Sequence, residues 1–327
     1  MAELTASTPL HQAHFCTIHG PVGPWFRQTP NADGVFGRTQ FSADAADDRN
    51  RWLVVCDEVP EGLTTRIAPE RRILFVGEPP EIKVYPASYL NQFGIVVSPM
   101  PLPGYQGRHV HQHSALPWHY GKNRPLTWAQ YAAEKPKTQI ISVFCSSKTF
   151  TRQQEIRLRF VDRLKLELGA LVKHFGQGFN PIDEKADGLD PFRYTIALEN
   201  NRIDGFWTEK LADAYLGHCL PIYSGGRIPA SDFSTSARLD IDISHMDEAI
   251  GRIVETIGDD RFEKMEPQLK EQRRLVMERH NFFAVADRII SERRGDGETL
   301  LDSPVPIRSC YRRTGSIRRW LRSAFTR

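Results

Sequence analysis

The segment of residues 193–226 constrains the fold of this chain more than any other. Residues 193–198 alternate polar and apolar side chains and include β-branched residues, which predicts a strand. Thr208 is suited to cap a helix that ends near Gly217, and residues 219–223 form the next predicted strand. This order of strand, helix and strand predicts a parallel βαβ unit. Open sheets of this kind bind ligands beyond the carboxyl ends of their strands.

Polar groups gather where such a unit would bind a ligand. Glu199, Asn200 and Asn201 follow the first strand, and Lys210 lies in the first turn of the predicted helix. Free backbone N–H groups and the helix dipole favour an anion at a helix N-terminus, and the lysine adds a cation. The sequence therefore predicts a diphosphate site here.

The rest of the chain continues the alternation of strands and helices. A length of 327 residues suggests two domains, and 40% hydrophobic residues suffice for two cores. Three apolar runs predict buried parallel strands in the first half, and a second pattern of strands and helices begins near residue 137. We therefore predict an α/β protein whose two domains meet in a cleft, a common position for small-molecule sites. The predicted divisions are an N-terminal α/β domain (1–137), a C-terminal α/β domain (138–296) and a basic C-terminal tail (297–327).

The motif has a close counterpart in a known family. Glu199-Asn200-Asn201, residues 207–211 (Trp-Thr-Glu-Lys-Leu) and residues 220–225 (Leu-Pro-Ile-Tyr-Ser-Gly) together resemble the donor-binding signature of the family 10 glycosyltransferases, the α-1,3/4-fucosyltransferases and their bacterial relatives. The resemblance implies a GT-B-like fold, two Rossmann-like domains that face a central cleft. It implies that the first domain (1–137) lies on the acceptor side and that the second (138–296) binds the nucleotide sugar. It also implies an inverting enzyme that transfers fucose from GDP-fucose to a glycan hydroxyl, with no further cofactor and no metal.

Two cations are assigned to the departing diphosphate by this resemblance. Lys210 lies inside the Thr-Glu-Lys motif, and Arg157 matches the arginine that opens the helix after a polar loop. The planar fork of an arginine suits bidentate contact with phosphate. Arg152 and Arg159 on the same predicted helix are alternatives to Arg157, and a solvated position is the other interpretation of any of these arginines.

Four further residues match donor-binding positions. The resemblance implies that Glu209 and Asn200 hydrogen-bond the ribose and sugar hydroxyls of the donor, which suits a carboxylate and an amide. Glu199 also matches the motif and could equally orient the loop. Phe206 stands where relatives carry an aromatic residue near the sugar, and a packing role has equal weight.

Glu78 is the predicted general base. It follows the predicted strand 73–76, and Gly77-Glu78 resembles the Gly-Glu step of family 10. The position at the carboxyl end of a strand would turn Glu78 toward the cleft, where a carboxylate can take the proton of an acceptor hydroxyl. The Pro79-Pro80 pair departs from many relatives, and Glu81 is the local competitor.

Aromatic and histidine residues between the two domains offer weaker candidates. Trp118, His119 and Tyr120 could form an apolar platform for an acceptor sugar or simply anchor a loop. A second group, which lies upstream, alternates along the chain and would share one face of an extended strand. Metal binding by that group is disfavoured because no cysteine or carboxylate completes a ligand set nearby. Its members are His109, His111 and His113.

Asp240 and Asp242 resemble the metal-holding Asp-x-Asp of a different glycosyltransferase fold. They alternate with apolar residues along a predicted strand, which makes them one polar face of that strand. We therefore expect no metal site here.

The positive charge of the chain is concentrated at its C-terminal end. Residues 308–327 contain seven arginines and no acidic residue. Ile317, Trp320, Leu321 and Ala324 fall on one helical face, which predicts a basic amphipathic helix suited to anionic lipid head groups. A nucleic-acid-binding arm or an unstructured end are the alternatives. We favour the membrane surface and expect no nucleic-acid partner.

Composition also bears on the compartment. No run approaches the ~20 apolar residues of a membrane-spanning helix, and the first residues lack the features of a secretory signal. Five scattered cysteines indicate a reducing compartment. We expect a cytoplasmic protein, peripheral at the inner face of the cell membrane, that glycosylates a glycan or lipid-linked oligosaccharide in surface polysaccharide or lipopolysaccharide synthesis.

Two other functions remain open on the sequence. The same fold could use another nucleotide-sugar donor, because the motif specifies the nucleotide and phosphates better than the hexose. Alternatively, the chain could be a non-catalytic protein that binds a glycan or nucleotide.

Overall fold

The first domain is built on a seven-stranded sheet with the order β2-β3-β1-β4-β6-β7-β8. The computed structural model of the chain describes residues 9–124, 126–149, 151–293 and 299–310. All neighbouring strands of this sheet are parallel except β2 and β3. The strands of this domain are β1 (His11–Thr17), β2 (Val35–Phe36), β3 (Thr39–Ser42), β4 (Trp52–Cys56), β5 (Thr64–Ile67), β6 (Arg72–Phe75), β7 (Ile95–Val97) and β8 (Arg108–Val110). Two short helices are α1 (Ala87–Leu90) and α2 (Trp128–Ala132).

The second domain is a five-stranded parallel sheet with the order β10-β9-β11-β12-β13. Its strands are β9 (Gln139–Phe144), β10 (Val172–Phe175), β11 (Phe192–Leu198), β12 (Leu220–Ser224) and β13 (Leu239–Asp240). Its helices are α3 (Arg152–Leu168), α4 (Glu209–Leu216), α5 (Met246–Gly258) and α6 (Arg261–Leu275); a π-helical turn at Val276–His280 then leads to a last helix, α7 (Phe282–Glu292). Short 3-10 turns lie at Gly23–Gln28, Pro69–Arg71, Gly169–Leu171, Lys185–Gly188 and Thr235–Ala237.

The period of two along β4 distributes its side chains between two cores. Trp52 and Val54 pack on one face of the sheet, whereas Leu53 and Val55 pack on the other. Apolar side chains on both faces produce the continuous apolar run that predicted this strand. The two predicted parallel domains are therefore present, and the predicted βαβ unit is β11-α4-β12.

The last helix differs from the predicted division of the chain. Helix α7 falls inside the range 138–296 that was predicted to belong to the second domain. Its residues Phe282, Phe283 and Ile289 lie instead in the core of the first sheet, against residues such as Phe15. The sequence gives an amphipathic helix but does not state which sheet receives its apolar face, and the other limits remain predictions.

The start of the predicted tail is also part of the first domain. A fourteenth strand, β14 (Leu300–Pro306), pairs antiparallel with β5, and Ile307 is buried beneath it. Residues 311–327, which carry the predicted amphipathic helix, lie outside the described residues. Within the described part of the chain, no helix is both long and apolar enough to cross a membrane.

Candidate active site

A cavity of about 530 Å³ lies between the two domains, on the carboxyl side of the first sheet. The first domain contributes Glu78 to its lining, the connecting segment contributes Trp118 and His119, and the second domain contributes Glu209. Its size falls in the range of small-molecule sites. The structure thus brings four of the predicted site residues to one cavity.

Glu78 is held in place through its backbone. The N–H groups of Gly77 and Glu78 donate to the Tyr85 hydroxyl (3.3 and 3.2 Å), which in turn donates to the buried carboxylate of Asp57. A Cβ atom at residue 77 would lie 3.1 Å from the Cβ of Asp57, so the glycine permits this close approach. The loop that carries Glu78 is therefore fastened to the end of the neighbouring strand β4.

The Glu78 side chain is free and partly buried. Among the described residues, none donates a hydrogen bond to its carboxylate. Burial raises the pKa of Glu78, and the negative charges of Asp57 and Glu209 raise it further, while His19 and Lys83 act in the opposite direction. A carboxylate with a raised pKa is a stronger base, and this one faces the cavity.

The N-terminus of α4 is already occupied by a carboxylate of the chain. Glu199 is fully buried, and it accepts hydrogen bonds from the backbone N–H of Thr208 (2.8 Å) and from the Thr208 hydroxyl (2.9 and 3.0 Å). The Lys210 N–H is directed at Thr208 Oγ1 (3.4 Å). The Thr208 and Lys210 N–H groups are therefore already paired, which leaves a larger part of anion binding to the side-chain cations. The orienting role predicted as an alternative for Glu199 agrees with this arrangement.

Lys210 and Glu209 form an ion pair at the edge of the cavity. Lys210 Nζ lies 3.1 Å from Glu209 Oε1 and 3.4 Å from Glu199 Oε2. Burial lowers the pKa of Lys210, but the two carboxylates outweigh that effect and raise it. Burial likewise raises the pKa of Glu209, but Lys210, His119 and Lys185 lower it well below its ordinary value. Both groups are therefore ionised at neutral pH.

Arg157 lies beside this pair and is the arginine of α3 that reaches the site. It is buried, and its guanidinium donates to the Asn200 side-chain oxygen. Its Nη2 is 4.0 Å from Cys145 Sγ, and its Nε has no hydrogen-bond partner among the described residues. The positive charge of Arg157 opposes the raised pKa of Lys210, which places the two cations in one electrostatic neighbourhood. Arg152 is exposed.

The Ser-Gly-Gly turn after β12 is explained by packing. A Cβ atom at Gly226 would lie 2.0 Å from the Ile203 carbonyl oxygen, and one at Gly225 would lie 2.8 Å from Glu199 Cγ. Both glycines therefore let the loop that follows Glu199 approach the end of β12. This contact fixes the loop on which Asn200 is carried.

Three predicted residues serve mainly in the cores. Phe206 is buried with side chains of the first domain, where it joins the two domains. Trp118 and Tyr120 are also buried, and Tyr120 donates to Asp190 (2.6 Å). The burial of both rings fits the anchored-loop alternative, and of the two only Trp118 also lines the cavity, so its role in an apolar platform stays a prediction. Only His119 of that trio has an exposed side chain.

A buried carboxylate on α4 anchors the segment that carries His119. Asp213 Oδ1 accepts the backbone N–H groups of His119 (2.8 Å) and Tyr120 (2.9 Å). Its other oxygen pairs with Lys185 Nζ at 2.7 Å. Nothing in the spacing of the sequence pointed to Lys185 or Asp213, because their proximity arises only from the tertiary fold.

The three alternating histidines do not form one site. His109 contacts the Ser98 carbonyl (2.9 Å), whereas His113 is buried, lies 2.9 Å from His280 and stacks on Trp207 at 4.3 Å. Within the described ranges, no group of three His, Cys, Asp or Glu side chains is arranged to hold a metal ion. His113 thus packs where the two domains meet.

The two carboxylates of the Asp-x-Asp segment pair with arginines of the chain. Asp242 pairs with Arg202, and Asp240 pairs with Arg238 at 2.8 Å. The two carboxylates therefore serve separate surface ion pairs.

Sequence reasoning missed a histidine and an aspartate on the first-domain side of the cavity. His19 Nε2 lies 2.9 Å from Asp57 Oδ2, and His19 lines the cavity with Glu78. Asp57 directly follows β4, a correctly predicted strand, so its position at the carboxyl end was an available signal. His19 follows β1, which the sequence did not reveal because it lacks a clear apolar period.

Part of the chain is similar in sequence to a known enzyme. The chain is 35% identical over 77 residues to an alpha-(1,3)-fucosyltransferase from Helicobacter pylori, a match that covers 23% of this chain and 16% of that relative. The matched part is thus a small fraction of that relative's length. No protein-family model matches the chain.

Solved structures show the fold over most of the chain. A crystal structure of an alpha1,3-fucosyltransferase with GDP has a TM-score of 0.51 at 16% identity, covering 86% of this chain and 95% of that one. Another alpha1,3-fucosyltransferase structure has a TM-score of 0.50 at 17% identity, covering 82% and 83%. The predicted GT-B-like arrangement of two α/β domains is thereby confirmed. In a stretch of its sequence and in its overall fold, this chain is similar to the α1,3-fucosyltransferases.

Proposed function

We propose that this protein is an inverting glycosyltransferase that moves fucose from GDP-fucose to a hydroxyl group of a glycan. The observation that supports the proposal most is the shared cavity: Glu78 of one domain and Glu209 of the other line it, and Lys210 is paired with Glu209. Fucosyltransferases of similar fold have been crystallised with GDP and with GDP-fucose.

The chemistry of sugar transfer requires two kinds of group, and the proposal assigns both. Lys210 and Arg157 neutralise the diphosphate as the bond from the sugar carbon to the phosphate oxygen breaks. Glu78 takes the proton of the acceptor hydroxyl as the new bond to the sugar carbon forms. Attack from the face opposite the leaving GDP converts a β-linked donor into an α-linked product. Glu209 and Asn200 hold hydroxyls of the donor, and Phe206 contributes through packing.

A donor assay tests the proposal directly. The purified protein is incubated with GDP-fucose, GDP-mannose and UDP-sugars and with a panel of soluble oligosaccharides, and products are identified by mass spectrometry. Fucosylated product from GDP-fucose supports the proposal. Product from a different nucleotide sugar would assign the alternative donor, and nucleotide binding without any product would assign the non-catalytic alternative.

We propose further that the protein works at an anionic membrane surface, on glycans or lipid-linked oligosaccharides that enter surface polysaccharide or lipopolysaccharide. The support is the arginine-rich sequence of residues 311–327, which lies outside the described residues, together with the attachment of the preceding residues to the first domain. Basic segments are attracted to anionic lipids by about 1 kcal/mol per arginine near the surface.

Deletion of residues 311–327 is expected to abolish binding to phosphatidylserine-containing vesicles and to preserve transfer to soluble acceptors. The cut leaves the contact between Cys310 and Glu58 intact. Vesicle sedimentation and the soluble transfer assay measure the two properties, with neutral phosphatidylcholine vesicles as the control. Unchanged sedimentation of the shortened protein with the anionic vesicles would contradict the membrane role. The same holds if the full-length protein binds RNA instead of vesicles and the deletion abolishes that binding.

A further inference from the structure

The first-domain side of the cavity contains an imidazole–carboxylate pair in addition to Glu78. His19, Asp57 and Glu78 follow the carboxyl ends of β1, β4 and β6, which are adjacent strands of one parallel sheet. Groups at the carboxyl ends of neighbouring strands share one edge of the sheet, the edge where α/β proteins bind ligands. The three side chains therefore form one acceptor-side cluster, apart from the Lys210 and Arg157 cations of the second domain.

Asp57 is tightly held and ionised. Its side chain is 3% exposed, and its carboxylate accepts hydrogen bonds from Lys83 Nζ (2.9 Å), from His19 and from the Tyr85 hydroxyl. Burial raises the pKa of Asp57, but the His19 hydrogen bond, the Lys83 cation and the Tyr85 hydrogen bond lower it to about 2. An ionised carboxylate has no proton to donate.

The ionised state of Asp57 determines which nitrogen of His19 carries the proton. Because Asp57 can only accept, the proton of their 2.9 Å hydrogen bond belongs to His19 Nε2. In the neutral ring the other nitrogen, Nδ1, then carries a lone pair. The His19 side chain is 45% exposed and lines the cavity, and none of the described residues forms a hydrogen bond with its Nδ1. The ring thus offers a single oriented hydrogen-bond acceptor to a ligand.

The wall beside His19 is apolar. Pro21, Pro24 and Leu116 line the same cavity. A pyranose ring combines an apolar face of C–H groups with hydroxyls at its rim, so this wall and one hydrogen-bond acceptor are complementary to it. Pockets with apolar walls and a few oriented polar groups are the usual form of small-molecule sites.

We propose that His19, positioned by Asp57, binds a hydroxyl of an uncharged hexose of the acceptor glycan, whose ring lies against Pro21, Pro24 and Leu116. This inference rests on the proposed function and specifies its acceptor subsite. Glu78 acts on the attacking hydroxyl, while His19 holds a second hydroxyl of the same ring and orients it. Asp57 is a positioning residue that acts through His19.

Two substitutions separate hydrogen bonding from proton transfer. In His19→Asn the side-chain amide occupies the region of Nδ1, whereas in His19→Gln it occupies the region of Nε2 and leaves the cavity side empty. We expect His19→Gln to lower kcat/KM for the acceptor by about tenfold to a hundredfold, the loss of one hydrogen bond of about 1–3 kcal/mol. His19→Asn should keep most of this value. His245→Gln, at the exposed pair of His245 and Asp242, is the matched control.

Sugar binding is also measured without catalysis. Saturation-transfer NMR with free galactose, glucose and N-acetylglucosamine, in the presence of GDP, should show binding of at least one hexose to the wild type and to His245→Gln, and its loss in His19→Gln. GDP affinity, measured by calorimetry, should be equal in all variants.

Three results would overturn the inference. The first is either an unchanged kcat/KM for the acceptor in His19→Gln or the absence of a saturation-transfer signal from every hexose with the wild type. The second is a parallel loss of GDP binding, which would assign His19 to the donor. The third is loss of transfer in both His19 variants with hexose binding retained, which would make His19 the base. If the wild type binds hexose but no nucleotide sugar yields product, the proposed function fails and the sugar site stands.

Discussion

Glu78→Gln is expected to lower the rate of sugar transfer by about 10²- to 10⁴-fold, the usual contribution of a general base. The substitution retains the size of the side chain and the backbone hydrogen bonds to Tyr85, so the loop should keep its conformation. GDP binding should be preserved, because the cations proposed to contact the diphosphate belong to the second domain. Initial rates with GDP-fucose and a soluble acceptor, together with GDP calorimetry, measure the two properties.

The pH dependence of kcat/KM is a second test of Glu78 as the base. A base works in its ionised form, so kcat/KM rises as the pH rises through the pKa of Glu78. Burial and the charges of Asp57 and Glu209 raise that pKa, so the acid limb should lie at higher pH than for an ordinary glutamate. Glu78→Gln should lose this limb. Glu81→Gln is the matched control, because Glu81 is exposed and does not line the cavity.

Two results would contradict the role of Glu78. Retained transfer in Glu78→Gln would remove it from the chemistry. Loss of GDP binding together with transfer would instead indicate that the substitution damages the cavity as a whole.

Lys210→Met is expected to lower turnover by about 10²- to 10³-fold, since removal of one group that stabilises developing charge typically costs about 3 kcal/mol. GDP affinity should fall by about tenfold or more, the loss of a charge-assisted contact of about 1.5–3 kcal/mol. Methionine retains the apolar stem of the side chain, so the packing of α4 is disturbed little. Turnover and GDP calorimetry are measured at one temperature below the unfolding transition.

The effect of Lys210→Met on the stability of the fold needs a separate control. Lys210 also compensates the fully buried Glu199 carboxylate, so its loss should lower the melting temperature. Glu199 keeps its hydrogen bonds from Thr208, which limits that effect. Lys270→Met is the control, because Lys270 makes only exposed ion pairs with Glu134 and Glu266. A variant at Lys210 that turns over normally, or one whose activity returns in full at lower temperature, would contradict a direct role.

The parallel sheets could be predicted because many of their strands are recognisable from the local sequence, as apolar runs or as strands that flank a helix. The strand Trp52–Cys56 is apolar at every position, and β11 and β12 flank a helix with a capping threonine. The strands that escaped prediction, such as β1 and β14, are mixed in polarity and gain their order from neighbouring strands. A pattern based on local periodicity does not contain that information.

Helix α6 shows a second limit of local reasoning. Proline disfavours the interior of a helix, yet Pro267 lies inside Arg261–Leu275. The interruption comes later, at the π-helical turn of residues 276–280, where His280 contacts His113 and Phe233. Tertiary packing at the junction of the domains outweighs the local preference of proline.

The candidate site also combines residues that the sequence could reveal with residues that only the fold brings together. Lys210, Glu209 and Glu199 were identified because they stand close together in one motif, and in the structure Lys210 Nζ lies within 3.4 Å of both carboxylates. Asp57 and His19 come from separate strands, and only the adjacency of β1 and β4 unites them. Single polar residues at strand ends become a site only when the strand order is known.

The most direct test of the account is a calorimetric titration of the wild-type protein and of Lys210→Met with GDP. The account predicts saturable binding of one GDP per chain to the wild type and an affinity reduced by about tenfold or more in the variant. Absence of measurable heat with GDP and with every other nucleoside diphosphate, under conditions where the protein is folded, would contradict it.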